Sequence, residues 1–333
     1  MIQYLIRRLL WAVALLVTVT AIGFALFYLV PSDPAKQACG RACTPQMVAR
    51  VAHYLGTDRP LYVQYAKFLG RLMPFSFTGG PHFKTPSLGR SFFAQEDVNT
   101  IIGQAAPITF SLVIGAVILW MLVALPVGIL SALRPRSLLD RTTMFGVLVG
   151  VSMHPVWLGL LLLYFLSDRY QIFPIGNYAG LFHATSYGQP VGFVQWCYYL
   201  ALPWFTLAVL FMAIYVRMIR ANVMEVMNED YVRTARAKGA SESRVLRVHI
   251  LRNALLPVVT MLGMDIGLAL GGAVFTENIY SLKGLGFETI QATVNLDTPV
   301  ILGVIVFATT MIIIFNLLVD VVYAWIDPRI RLA

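Results

Sequence analysis

The chain has 333 residues, 58% of them hydrophobic and only 12% charged, with a mean hydropathy of +0.73. Soluble globular domains carry about 25% charge, so that class is excluded; apolar runs of about 20 residues, enough to span a bilayer, recur along the chain. The net charge of +9 does not point to nucleic acid, because the basic residues sit at the ends of apolar runs, as in oriented membrane helices. The composition defines an all-α polytopic membrane protein.

Arg7 and Arg8 precede an apolar run from Leu9 to Val30. It is longer than a signal-peptide core, so residues 1–30 are expected to form an uncleaved first transmembrane helix. Residues 31–98 form a polar region, expected to lie outside the membrane as a cap between helices 1 and 2. Thr44-Pro45 starts a helix there that ends near Gly56, and a second amphipathic helix covers Pro60 to Met73. Pro74 to Phe83, rich in Gly, Pro and Phe, reads as loop. Cys39 and Cys43 are close enough in sequence for a disulfide in an oxidising compartment, with two separate thiols as the alternative; they are too few for a metal site.

Residues 99–333 hold five further spans, six in all. No charged residue lies between Asp97 and Arg134, so span two covers Ile101 to Leu133, with Pro107 and Pro126 available for kinks. A short basic loop follows, Arg134, Arg136 and Arg141 with Asp140 among them. Span three, Thr142 to Ser167, is interrupted at His154-Pro155, and Asp168 to Tyr199 reads as a polar aromatic loop. Span four, Leu200 to Val216, ends at Arg217 and Arg220. Span five runs from Leu255 to Thr276, an outside loop from Glu277 to Pro299, and span six from Val300 to Trp325. Six spans put both termini on one side. Lys and Arg concentrate there once the long first loop, which carries little topogenic weight, is set aside, making that side cytoplasmic.

The segment Asn228–Pro257 is the long charged stretch between two apolar ones and reads as two helices joined by a turn. Asn228 is expected to cap the first, with Glu229 and Asp230 in its positive first turn. Gly239 ends it in a left-handed conformation. Ser241 caps a second helix from Glu242 to about Ala254, and Pro257 returns the chain to apolar sequence. On charge alone, a solvated basic loop that only sets orientation is the competing reading.

Asp265 lies midway through span five, where an ionised acid costs about 2.5–3.5 kcal/mol on insertion scales and must face a cavity or a polar partner. Gly263, Gly267 and Gly271 recur every four residues, a stripe that lets another helix approach closely. Two residues turn a helix by about 200°, so Asp265 faces away from that stripe. It is expected either to look into a translocation path or to be a hydrogen-bonded structural acid. The chain contains no GxxxxGK[ST], HExxH or GxSxG motif, and its five histidines show no ligand spacing. No metal site, cofactor or catalytic residue is therefore assigned. An ion-coupled carrier or channel using Asp265 remains an alternative; a membrane-embedded enzyme is disfavoured for want of a nucleophile or base constellation.

Several stretches together resemble a known family. Tyr-Val-Arg-Thr-Ala-Arg-Ala-Lys-Gly at 231–239 is similar to the cytoplasmic coupling loop of ABC importer permeases, in the wording of the oligopeptide/dipeptide/nickel branch. Tyr4-Leu-Ile-Arg-Arg-Leu, Pro31-Ser32-Asp33-Pro34, Leu55-Gly-Thr-Asp-Arg-Pro-Leu, Leu88-Gly-Arg-Ser-Phe, Pro107-Ile-Thr and Leu125-Pro-Val-Gly-Ile-Leu-Ser-Ala-Leu resemble that branch in order. So do Gly284-Leu-Gly, Asp297-Thr-Pro-Val and Asp327-Pro-Arg-Ile-Arg. Arg233 stands where the generic loop has Glu, and Lys283 where the branch usually has Pro.

The resemblance, to the B-type permease subunit of this branch, implies the type I ABC importer fold, with residues 99–333 as the permease core and 221–254 as its coupling loop. It implies a second homologous permease subunit, two ATPase subunits (or one fused double ATPase) that bind ATP and Mg, and an extracytoplasmic substrate-binding protein. Tyr231, Arg233, Thr234, Ala235, Arg236, Lys238 and Gly239 are the residues it assigns to ATPase coupling. The implied cargo is a di- or oligopeptide, with a nickel chelate as the alternative, and the implied location is the bacterial plasma membrane.

Overall fold

The computed structural model describes residues 2–29, 44–55, 60–72, 75–76, 82–83, 86–181 and 192–326. Cys39, Cys43, the Pro31–Pro34 motif and the terminal motif at 327–331 lie outside them. Along these residues the order is α1 (Ile2–Leu29), α2 (Pro45–Leu55), α3 (Leu61–Leu72), β1 (Phe75–Ser76), β2 (His82–Phe83), α4 (Val98–Leu133), α5 (Leu138–Ser152) and α6 (Pro155–Arg169). Then come α7 (Phe193–Met227), α8 (Asp230–Ala237), α9 (Glu242–Ala254), α10 (Leu256–Gly272), α11 (Val274–Ile279), α12 (Leu285–Val294) and α13 (Thr298–Ile326). The two strands pair antiparallel, Phe75 with Phe83 and Ser76 with His82, inside the stretch read as loop. Apart from an isolated bridge between Arg90 and Asp97 and the connecting loops, the rest of the described residues are helical.

Three helices, α4, α7 and α13, are long and apolar enough to cross a membrane, and the number rises to five if the bent pairs α5–α6 and α9–α10 each count as one. Within α1 the apolar stretch is Leu10–Ala25. Helix α4 is continuous through Pro107 and Pro126. The break expected at His154-Pro155 is present and bends α5 against α6 by 99°. Pro155 opens α6, and His154 Nδ1 accepts the Val156 N–H at 3.3 Å, satisfying one of the free donors at a helix start.

Four boundaries differ from expectation. Helix α7 starts inside the predicted loop, at Phe193, where Trp196 meets Phe193 and Trp204 with ring centroids 6.0 and 4.7 Å apart; aromatic packing offsets the polarity of that stretch. It also runs past Val216 to Met227, because Arg220 has a buried partner and the chain need not leave the helix to hydrate it. The fifth apolar run is divided at Ala273, directly after the weak helix formers Gly271 and Gly272. The predicted outer loop from Glu277 to Pro299 is largely helical, in the last part of α11 and in α12.

The chain divides into two units. The first contains residues 1–107 and 284–313. Here Tyr65 on α3 donates to the Val17 carbonyl of α1 at 2.9 Å, and its ring lies 5.4 Å from Phe24. Gly303 of α13 sits so close to Val98 that a Cβ would come within 2.5 Å of it. The buried Asp297 carboxylate accepts the Ser91 hydroxyl and the N–H groups of Phe92 (3.1 Å) and Phe93 (3.2 Å).

The second unit contains residues 108–283 and 314–333. Its centre is α7, against which small residues of α4 and α5 pack. A Cβ on Gly128 would approach Ile219 to 2.9 Å, one on Gly150 would reach Ala213 at 3.0 Å, and one on Gly115 would strike Trp204 at 2.0 Å. Close backbone approach of this kind is how membrane helices gain packing energy without a hydrophobic drive between them. Glu277, fully buried, accepts the Thr109 hydroxyl at 2.7 Å, as a buried acid requires.

Candidate functional site

The charged segment folds as the sequence indicates, with one shift. Asn228 does not cap α8. It closes α7, its side-chain N–H donating back to the Met224 carbonyl at 2.9 Å, because α7 continues that far. Glu229, with extended backbone, holds the N-cap position, and Asp230 is in the first turn, where the helix dipole favours an anion. Val232 and Ala235, three residues apart, are buried and anchor α8; Tyr231, Arg233, Thr234, Arg236, Lys238 and Gly239 are exposed.

The turn after α8 is a Schellman closure. Gly239 has φ +78°, its N–H donates to the Arg236 carbonyl at 2.9 Å, and the Ala240 N–H donates to the Ala235 carbonyl at 3.2 Å. No atom lies within 4 Å of a Cβ built on Gly239. Glycine is thus required by backbone conformation, not by close packing. Across the turn, Arg236 forms a fork on Glu242, Nε to Oε1 at 3.0 Å and Nη2 to Oε2 at 3.3 Å.

Ser241 stands at the expected N-cap position of α9, but its side chain makes no capping bond; its carbonyl accepts the Arg244 and Val245 N–H groups, both at 2.9 Å. Helix α9 contains a π-helical stretch, Val245–Leu251, whose Val245 and Ile250 are buried. Asn253 donates to the Tyr231 hydroxyl at 2.8 Å, and Asn222 of α7 donates to the Ala254 carbonyl at 3.3 Å. The two short helices are therefore tied to each other and, through α9, to α7.

Asp265 of α10 accepts the Tyr215 hydroxyl of α7 at 2.7 Å. Tyr215 is fully buried; its ring lies 6.0 Å from Trp120 of α4, which stacks on Phe211 at 4.6 Å. Gly263 and Gly267 are buried while Asp265 is partly exposed, so the carboxylate and these glycines occupy different faces of α10. Gly271 lies within the same helix.

Sequence reasoning missed the partner of Asp265. It also missed a second carboxylate. Asp140, at the start of α5, accepts the Ser131 hydroxyl of α4 at 2.5 Å, the Arg136 N–H at 2.8 Å and two bonds from Arg220 of α7, at 2.6 and 2.8 Å. Arg136 has φ +64°, and the bond from its N–H holds that unusual turn in place. The available signal was a lone acid in an otherwise basic loop.

A helical chain with several apolar spans, carrying a tied pair of charged helices between two of them, has the make-up of a polytopic membrane protein. Residues 124–332 match the binding-protein-dependent transport system inner membrane component, and residues 1–113 match the N-terminal part of such membrane components. The chain belongs to this family of multi-pass inner membrane permeases.

It is 33% identical to the dipeptide transport system permease protein DppB of Escherichia coli K12, over 99% of both chains. It is 36% identical to the di/tripeptide transport system permease protein DppB of Pseudomonas aeruginosa, again over 99% of both. A probable peptide ABC transporter permease of Sinorhizobium fredii is 34% identical over 98% of this chain and 99% of its own. Among solved structures, an amino acid ABC transporter with histidines superimposes at TM-score 0.51, with 16% identity, covering 68% of this chain and 94% of that one. The inward-facing MetNI methionine ABC transporter does so at 0.50, with 15% identity, covering 69% and 97%. At such identities the likeness concerns the fold, that of ABC importer permeases.

Proposed function

We propose that this chain is one of two homologous permease subunits of an ATP-driven importer that passes peptides from an extracytoplasmic binding protein into the cytoplasm. The observation that carries the reading is similarity over 98–99% of the chain to permeases named for dipeptides, di/tripeptides and peptides. In this reading the six spans are α1, α4, α5–α6, α7, α10 and α13, with both termini and α8–α9 cytoplasmic. Residues 1–30 are the first span, 31–98 an extracytoplasmic cap and 99–333 the permease core with its coupling loop at 221–254. ATP and Mg are bound by two partner ATPase subunits, or one fused double subunit.

The coupling segment is the contact with the ATPases. Tyr231, Arg233, Thr234, Arg236, Lys238 and Gly239 lie on its exposed side, and Ala235 seats it. Closure of the ATPases around ATP would push α8, and the ties Asn253–Tyr231 and Asn222–Ala254 would carry that push into α9 and α7. Gly263, Gly267 and Gly271 serve helix packing, and Asp265 faces the translocation path.

The test is the ATPase rate of the complete assembly in lipid, with di- to octapeptides and, separately, nickel with a chelator. Stimulation by peptides is expected. Stimulation by nickel alone would overturn the peptide assignment, and failure of any ATPase to assemble with the chain would overturn the importer reading.

A further inference from the structure

Helix α10 presents two unlike faces. Gly263 and Gly267 are buried. Met261, Met264 and Leu268 are exposed, the last two to 57% and 63%, and Asp265 lies among them. The positions 261, 264, 265 and 268 follow the i, i+3, i+4, i+7 spacing that forms one helix stripe. The stripe is thus three flexible apolar side chains around one carboxylate.

Among the described residues no cation meets that carboxylate. The partner resolved for it is the hydroxyl of Tyr215, on Oδ2. Tyr215 is itself immobilised, fully buried beside Trp120, so the carboxylate is held at a set place and angle. A mid-span acid is costly against lipid or an apolar helix, and such residues mostly face the bundle interior or a water-filled cavity. Methionine, unbranched and polarizable, lines surfaces that accept apolar groups of varied shape.

We propose that Asp265 is a specificity-determining residue, binding an alkylammonium group of the solute in transit while Met261, Met264 and Leu268 accept its apolar part. The inference rests on the reading of the chain as a peptide importer permease. The ammonium has two possible sources, the peptide's amino terminus or a lysine side chain.

The experiment uses the complete importer in liposomes with saturating binding protein. Asp265→Asn keeps an oxygen to accept the Tyr215 hydroxyl and removes only the charge. Uptake is compared for Ala-Ala, Ala-Lys and N-acetyl-Ala-Ala. A loss of tenfold or more confined to Ala-Lys assigns the lysine side chain; a loss for both free peptides that spares the acetylated one assigns the amino terminus. Equal losses for all transported peptides, or none, overturn the proposal. A wild-type importer that no peptide stimulates would instead overturn the peptide reading on which it rests.

A second measurement is independent of which peptides the binding protein accepts. Asp265→Cys, with the three native cysteines replaced, is exposed to a cationic thiosulfonate from the aqueous side. Labelling that a transported peptide slows at least threefold is expected. Absence of labelling, or labelling that peptide does not slow, places the residue against lipid or protein and overturns the proposal.

Discussion

Arg220 of α7 closes a two-point ion pair on Asp140 of α5, 80 positions earlier in the chain, with contacts of 2.6 and 2.8 Å. With Ser131 and the Arg136 N–H on the same carboxylate, the pair joins the end of α4, the turn after it, the start of α5 and the C-terminal half of α7. The Asp140 side chain is 6% exposed and that of Arg220 23%, so the charges are shielded and the geometry is that of a fork on a carboxylate.

Breaking a buried pair by removing one member leaves the other charge uncompensated and costs about 3–5 kcal/mol. Asp140→Ala is expected near the lower figure, since Arg220 retains some access to water. The midpoint of thermal unfolding in detergent should fall accordingly. Arg220→Ala should fall by a similar amount, and the double variant by less than the sum of the two. Additive losses would show that the residues do not interact.

Gly239 offers a different kind of test, because only its backbone demands glycine. A side chain at φ +78° costs about 1–2 kcal/mol, with Asn better tolerated than others. Gly239→Asn should therefore leave peptide-stimulated ATP hydrolysis of the assembled importer near normal, Gly239→Ala should lower it, and Gly239→Val should lower it most while membrane insertion is unaffected. A ranking by side-chain size that places Asn with Val would point to crowding instead.

At Gly115 the constraint is space. The ring atoms of Trp204 are 2.0–2.5 Å from where a Cβ would stand, and that ring is held by its Nε1–H donating to the Ser111 carbonyl at 2.9 Å. Gly115→Ala must displace α4 from α7 or turn the indole and give up its bond. Overpacking of this sort costs about 1–3 kcal/mol. Lower yield of detergent-stable protein is expected, with partial recovery when Trp204→Phe is added.

In the other unit, Asp297 holds the turn at Ser91–Phe93. Asp297→Ala leaves two backbone N–H groups and a buried hydroxyl without their acceptor, at about 1–3 kcal/mol for each group that water cannot reach. Amide exchange at Phe92 and Phe93 should accelerate by more than tenfold, while exchange in α8 stays as it was. Unchanged protection at these two amides would mean another acceptor takes over.

Local signals account for the parts of the fold that the chain made legible. Thr44-Pro45 begins α2, His154-Pro155 breaks α5 from α6, Gly239 terminates α8 and Ser241 opens α9. Each depends on the conformational freedom or hydrogen-bonding reach of a residue and its immediate neighbours, and such effects are present in the sequence itself. The long uncharged stretch between Asp97 and Arg134 likewise matched α4 closely.

What failed were ends set by distant partners. Charge at Arg217 and Arg220 reads as the end of a span, yet α7 continues to Met227 because Asp140 is there to receive Arg220. Aromatic residues before Leu200 read as loop until Trp204 and its neighbours provide something to pack against. Asp265 was visible as an acid in an apolar run, and its separation from the glycine stripe follows from helix geometry alone. Its bond to Tyr215, 50 positions away, does not.

The sequence by itself determined that this protein is a polytopic helical membrane chain and where the charged helix pair turns, through composition, spacing and local stereochemistry, and its motifs pointed to the family by resemblance. The tertiary structure decided which groups meet these acids: Asp140 an ion pair with Arg220, Asp297 the hydroxyl and N–H donors of the Ser91 turn, and Asp265 the hydroxyl of Tyr215. The physical reason is that the state of a buried charge depends on the groups within a few ångströms of it, and here those groups come from helices brought together only by folding.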